Sequence, residues 1–193
     1  MCGRYGFYED RGDDKARAVI TMLEKLYPDA AVKTGEIFPG DTAPGVICRE
    51  GRIVPVPAVF GFPGFDGKKP LINARAETAA EKPTFAEAFR EQRIVLPANG
   101  FYEWGREPDR PKYWFTLNAA VFYLCGLYRL VQGRYCFVIL TRAANESMLP
   151  THDRMPVTVD AGHVRSYLTD LAAAKELLTV PGPALRRERA GQN

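Results

Sequence analysis

The chain has 193 residues, 46% of them hydrophobic and 25% charged, with a formal net charge of +3 and a pI near 8.7. That length fits one domain with a sizeable core and leaves little room for two, and the composition is that of a soluble globular protein. The mildly basic balance permits a nucleic-acid partner without requiring one, because a local basic patch matters more than the net sum.

In chain order, Asp13 to Tyr27 sets Ala18, Ile20, Met22, Leu23 and Leu26 mainly on one helical face, and Pro28 stops the helix. From Gly35 to Gly67 the sequence is dense in proline and glycine and reads as short strands and turns. Thr84-Phe85-Ala86-Glu87 fits a capping box, which predicts a helix to about Gln92. Strands are expected at Arg93–Pro97, Phe101–Trp104, Lys112–Leu117, Ala120–Tyr128 and Arg134–Thr141, with a helical turn over Asn145–Leu149 and another strand at Pro156–Val159. Asp160 is read as the cap of a helix through Leu168, and Leu171–Leu178 as one more helix.

These elements do not alternate as βαβ units, which argues against a doubly wound parallel sheet. The expected fold class is α+β: a single domain over residues 1–180 with a curved, largely antiparallel, barrel-like sheet and a few flanking helices. Residues 181–193 then form a basic, flexible tail. No stretch approaches the roughly 20 apolar residues of a membrane span, so no membrane association is expected. The opening MCGRYGFYEDRGDD lacks the apolar core of a secretory signal, which makes a reducing cytoplasm the expected compartment.

Four cysteines stand at positions 2, 48, 125 and 136. None forms a CxxC pair and no histidine lies at zinc-ligand spacing, so neither metal nor cofactor is expected. Cys48, Cys125 and Cys136 sit in apolar, strand-like runs and read as reduced thiols of the core.

Cys2 differs by position. Removal of Met1 would leave it with both an α-amine and a thiol, whose ordinary pKa values are about 8 and about 8.5. A 1,2-aminothiol condenses with an aldehyde and then closes a five-membered thiazolidine ring. Gly3 lets a ligand approach the backbone closely, and Arg4 suits a phosphate.

Three further segments set polar groups in apolar surroundings: NARAET at Asn73–Thr78, PANGFYEW at Pro97–Trp104 and HDRMP at His152–Pro156. On a strand, Glu103 shares its face with Phe101 and lies opposite Tyr102 and Trp104, so its carboxylate is either paired, with Arg75 or Arg93, or set up for proton transfer. His152, beside Arg154 in a loop, suits a proton donor near a phosphate, while a lone histidine is as readily structural. On an extended strand Asn73, Arg75 and Glu77 face one way, with Arg75 offering a phosphate fork or being held by Glu77.

Taken together and in order, MCGRY, NARAET, PANGFYEW, the TRAAN segment at Thr141–Asn145 and HDRMP resemble the SRAP family, the SOS response-associated peptidases, from Cys2 to about Leu168. The resemblance implies that Met1 is shed and that Cys2 forms a thiazolidine with the ring-opened sugar of an abasic site in single-stranded DNA, near single-strand/double-strand junctions. It implies a hydrogen bond near the linkage from Asn73, acid/base work by Glu103, and proton transfer and crosslink reversal by His152. It places Arg4, Arg75 and Arg154 on phosphates and Pro39 of IFPG beside the DNA, with Phe65 as a candidate wedge. It also implies a monomer, at the nucleoid when bound to DNA.

The chain departs from the family pattern at Phe60-Gly-Phe-Pro, Asn99, Tyr128 and Arg142. A thiol peptidase or N-terminal nucleophile hydrolase remains an alternative, although no segment marks an oxyanion hole. A non-covalent single-stranded DNA binder is the other, and it leaves Glu103 and His152 without a purpose.

Overall fold

The computed structural model describes residues 2–11, 14–64 and 69–191. Met1, the candidate wedge Phe65 and the last two residues lie outside them. The strands are β1 Arg4–Phe7, β2 Gly35–Ile37, β3 Thr42–Arg49, β4 Arg52–Phe60, β5 Asn73–Arg75, β6 Arg93–Ala98, β7 Gly100–Trp104, β8 Lys112–Thr116, β9 Phe122–Val131, β10 Arg134–Ala143, β11 Arg154–Pro156, β12 Thr158–Val159 and β13 Arg186–Arg189. The helices are α1 Asp14–Leu26, α2 Ala76–Ala79, α3 Ala86–Glu91, α4 Val164–Thr169 and α5 Leu171–Thr179.

A five-stranded sheet runs in the order β13-β8-β7-β1-β2, and an eight-stranded one in the order β11-β10-β4-β3-β6-β9-β12 with β5 beside β10. Because β10 pairs with β4 at one side and β9 at the other, the path β10-β4-β3-β6-β9 returns on itself as a barrel. Pairing is antiparallel except where β10 meets β4 and β5. The α+β, barrel-like fold expected from the sequence is thus present.

Strand alternation explains the core. Ile94, Leu96, Leu124, Phe137 and Ile139 join Tyr5, Phe7, Phe101 and Phe115 of the five-stranded sheet in one buried cluster. Their neighbours Val95, Cys125, Leu127, Val138 and Leu140 turn the other way, against Phe85, Phe89, Tyr167 and Ala174 of the helical layer. At full burial each large side chain contributes about 1.5–3 kcal/mol.

The two sheets are joined where β6 becomes β7. Asn99 holds this crossing: Nδ2 donates to the Ala120 carbonyl at 2.8 Å, and Oδ1 accepts from the Tyr8 amide. Gly100 follows because a Cβ there would stand 2.3 Å from the Trp114 ring.

Three local expectations are corrected. The cap of α3 is Phe85, without a side-chain bond, so the Thr84 capping box does not form. Asp160 accepts from the His163 amide at 3.1 Å in a turn, and α4 begins only after His163. The segment expected as a flexible tail contains β13, which pairs with β8 from Arg186↔Thr116 to Arg189↔Tyr113. The strand was illegible because all four of its residues are exposed and charged, so no hydrophobic alternation marks it. Leu185, 9% exposed, anchors it, and it covers an edge that would otherwise be bare.

Candidate functional site

Cys2 sits just before β1, the strand between β2 and β7. It is 2% exposed, and its Sγ lies 3.7 Å from the Arg4 carbonyl oxygen. The parallel pairing of β5 with β10, Asn73 opposite Ile139, aims Asn73 at it: Nδ2 donates to the Cys2 carbonyl at 3.2 Å. Asn73 Oδ1 is buried with no hydrogen-bond partner among the described residues, an acceptor directed into the site.

Glu103 is 5% exposed, and its strand register puts it on the same face as fully buried Phe101, as its alternation predicts. Burial, and then the charge of Glu103, push the Cys2 thiol well above its ordinary value. The thiol is therefore protonated near neutrality, with a carboxylate close enough to act on it electrostatically. Arg93 is not the partner of Glu103. Its guanidinium donates to the carbonyls of Phe89, Arg90, Tyr167 and Leu168 at 2.6 to 3.2 Å, tying α3 to α4.

Sequence reasoning missed Tyr5. Its hydroxyl is buried, with no hydrogen-bond partner among the described residues. Burial raises its pKa, and the charges of Cys2 and Asp41 raise it further, which marks it as a neighbour of Cys2. Its place one residue beyond Arg4 on β1 was the only available signal.

A second group lies where β5 runs into α2. The strand ends at Arg75 and the helix begins at Ala76, so Glu77 does not continue the face of Asn73 and Arg75. Instead it takes Arg154 from β11 as a fork: Nη1 to Oε1 at 2.6 Å and Nη2 to Oε2 at 2.7 Å. These bonds hold the Glu77 carboxyl down at about 2. Arg154 Nη2 also reaches the Thr141 carbonyl at 2.6 Å. Arg75 is exposed and forms no ion pair among the described residues.

His152 sits just before β11. Its Nδ1 lies 2.9 Å from the Arg154 amide and 2.8 Å from Asp153 Oδ1. The neutral ring accepts from the amide there and carries its proton on Nε2, whereas the protonated ring pairs with Asp153.

Arg4 extends to the outward face of the five-stranded sheet. Its guanidinium lies 4.3 Å over Phe38 and 4.8 Å over Trp104, and it donates to Glu36 at 3.4 Å. Glu36 also holds Lys112 at 2.8 Å. Pro39 is exposed in the turn between β2 and β3. The structure thus ties Asn73 to Cys2 by a hydrogen bond, with Glu103 within electrostatic reach of the thiol, groups His152 with Arg154 and Glu77 at the start of α2, and leaves Arg75 and Pro39 exposed and Arg4 on the outward face of the five-stranded sheet. All four cysteines are free thiols, and no cluster of three metal-ligating side chains occurs among the described residues. No described helix is long and apolar enough to cross a membrane.

Residues 1–188 match the family described as SOS response associated peptidase (SRAP). The abasic site processing protein YoqW of Bacillus subtilis is 36% identical over 191 residues, covering 87% of this chain and 80% of that protein. YedK of Escherichia coli, also named an abasic site processing protein, is 28% identical over 184 residues, covering 91% and 83%. The match to YoaM of B. subtilis, with the same description, is 39% identical over 106 residues and spans 51% of this chain and 47% of that protein. A solved structure from Bacteroides thetaiotaomicron superposes with a TM-score of 0.75 at 18% identity, covering 97% of this chain and 91% of the other. A phage-related protein from Bordetella bronchiseptica gives 0.74 at 25% identity, covering 99% and 95%.

Proposed function

The chain belongs to the SOS response associated peptidase family, and from that premise we propose that it captures abasic sites in single-stranded DNA as a covalent thiazolidine on Cys2. Hydrolysis of the Met1–Cys2 peptide bond, assisted by the chain's own site, first consumes one water and releases methionine. The amine then attacks C1′ of the ring-opened sugar and water leaves, giving an imine. The S–H adds across the C=N bond, sulfur to C1′ and the proton to nitrogen, and the five-membered ring closes. If Met1 persisted, the nitrogen of Cys2 would be an amide and the first step could not occur.

Glu103 moves the proton between ring oxygen and hydroxyl as the sugar opens, and takes the thiol proton as sulfur attacks, because the buried thiol does not ionise by itself. Asn73 fixes the Cys2 backbone and offers Oδ1 to the adduct. His152 donates from Nε2 and serves the reverse reaction. Arg4, Arg75 and Arg154 hold phosphates, and Pro39 packs beside the DNA. Preference for single-strand/double-strand junctions, action as a monomer and a nucleoid location complete this reading.

The observation that carries it is the hydrogen bond from Asn73 to the carbonyl of buried Cys2, with buried Glu103 within electrostatic reach of the thiol: an inert core thiol needs neither. Intact-protein mass spectrometry before and after incubation with an abasic oligonucleotide tests it. The expected masses are the chain without methionine, then that chain plus the oligonucleotide minus one water, with no reductant added. A mature chain still beginning at Met1, or no adduct, refutes the proposal.

A further inference from the structure

The strand β13 was expected as loose tail and is instead the last strand of the sheet that carries Cys2 and Glu103. Its register with β8 sets Arg187 opposite Phe115, and β8 in turn sets Phe115 opposite Phe101 and Tyr113 opposite Glu103. Partners across a ladder share a face, so Arg187 emerges on the face of Phe101 and Glu103. Its neighbour Arg186, opposite Thr116, emerges on the other.

Two contacts hold the Arg187 side chain. The guanidinium lies 4.6 Å over the Tyr113 ring, and Nη1 donates to Thr151 Oγ1 at 3.2 Å. Thr151 is 1% exposed and directly precedes His152. Arg187 therefore reaches from Tyr113, the cross-strand neighbour of Glu103, to the residue before His152, although Arg189 is the residue of β13 paired with Tyr113. Arg4, Arg154 and Arg189 each hold a carboxylate, namely Glu36, Glu77 and Asp109. Arg187 has no ion pair among the described residues. Glu107, whose carboxyl is lowered first by its backbone hydrogen bond and then by the Tyr113 hydroxyl, feels the charge of Arg187 only weakly and is already engaged by that hydroxyl at 3.0 Å.

An exposed guanidinium fixed by a ring and a hydroxyl, but not neutralised, is a preorganised anion ligand. We propose that Arg187 binds a backbone phosphate of the DNA strand on the flank between Tyr113 and the His152 loop, making the C-terminal strand part of the nucleic-acid interface. This rests on the proposed function and extends it to a segment that the five sequence motifs do not reach.

The test compares wild type, Arg187→Ala, Arg187→Lys and Arg186→Ala. Fluorescence anisotropy reads binding to a base-complete single-stranded oligonucleotide across a salt series, mass spectrometry reads adduct formation, and thermal melting reads folding. Arg187→Ala should weaken binding about 3- to 10-fold at low salt and reduce the log–log salt slope by about 0.7, one single-strand phosphate. Arg187→Lys, which keeps the charge but not the stacked fork, should restore the salt slope and recover only part of the affinity, and Arg186→Ala should stay within about two-fold of wild type. Equal losses in Arg187→Ala and Arg186→Ala would mean diffuse charge and overturn the proposal. So would an unchanged Arg187→Ala, or a loss that tracks a lowered melting temperature and is not rescued by lysine. A wild type that forms no adduct sinks the proposed function itself, whereas a normal adduct with Arg187→Ala indistinguishable from wild type sinks this inference alone.

Discussion

Replacing Glu77 by glutamine breaks the fork that fastens β11 to the start of α2, and its effect follows from one shifted titration. The Glu77 carboxyl is held at about 2 against an ordinary 4.5, chiefly by its hydrogen bonds from Arg154. At face value a drop of that size corresponds to about 3 kcal/mol. The carboxylate is 46% exposed, however, and solvent screening reduces the expected contribution to roughly 1 kcal/mol. A group whose pKa is depressed on folding stabilises above its unfolded value and loses that contribution as pH falls through the folded one. The wild-type advantage over Glu77→Gln in urea unfolding should thus be level from pH 7 down to about 5, shrink below about 4.5, and vanish near 2. A difference that is independent of pH, or grows on acidification, would show that the ion pair is not what glutamine removes.

Glu103→Gln should slow adduct formation about 100-fold or more while affinity for base-complete single-stranded DNA stays within about two-fold, read by quenched time courses and anisotropy; a parallel loss of binding would contradict the acid/base role. Cys2→Ser keeps the amine but closes the ring poorly, so its adduct should survive denaturation only after borohydride treatment. Gly100→Ala drives a Cβ to 2.3 Å from Trp114 and 2.6 Å from the Phe115 carbonyl, and should lower stability by about 1–3 kcal/mol in urea with a changed tryptophan emission.

The long strands were legible because alternation survives in them: Arg134–Ala143 places Phe137 and Ile139 in one cluster and Val138 and Leu140 in the other. The barrel closure was legible only in outline, since it depends on β10 pairing with both β4 and β9, which no local pattern encodes. On β7 the shared face of Glu103 and Phe101 was legible from strand geometry, whereas the burial of Glu103 was not, because Tyr102 on the opposite face is buried as well. The partner of Glu77 was not, because the strand-to-helix break at Ala76 rotates it away from Arg75 and toward a residue 77 positions on. Helix caps failed where the turn before the helix took the side chain, as at Asp160. Strand β13 failed because charged side chains carry no periodic hydrophobic signal.

The arginines around the site also bear on how DNA binding should respond to salt. Arg4, Arg154 and Arg189 already hold Glu36, Glu77 and Asp109, and Glu36 holds Lys112 as well. A phosphate that displaces one of these carboxylates exchanges one anion for another, and the released carboxylate draws a counterion back to itself. Little net counterion release follows from such contacts, although they can still orient the strand. Arg75 and Arg187, which hold no carboxylate among the described residues, should therefore supply most of the salt dependence, a log–log slope nearer two phosphates than five, or about 1.4 for single-stranded DNA. Neutralising Glu36 by Glu36→Gln should steepen that slope by converting Arg4 and Lys112 into unpaired cations. A slope already near five phosphates in the wild type, or one that Glu36→Gln leaves unchanged, would show that these carboxylates do not compete with the DNA.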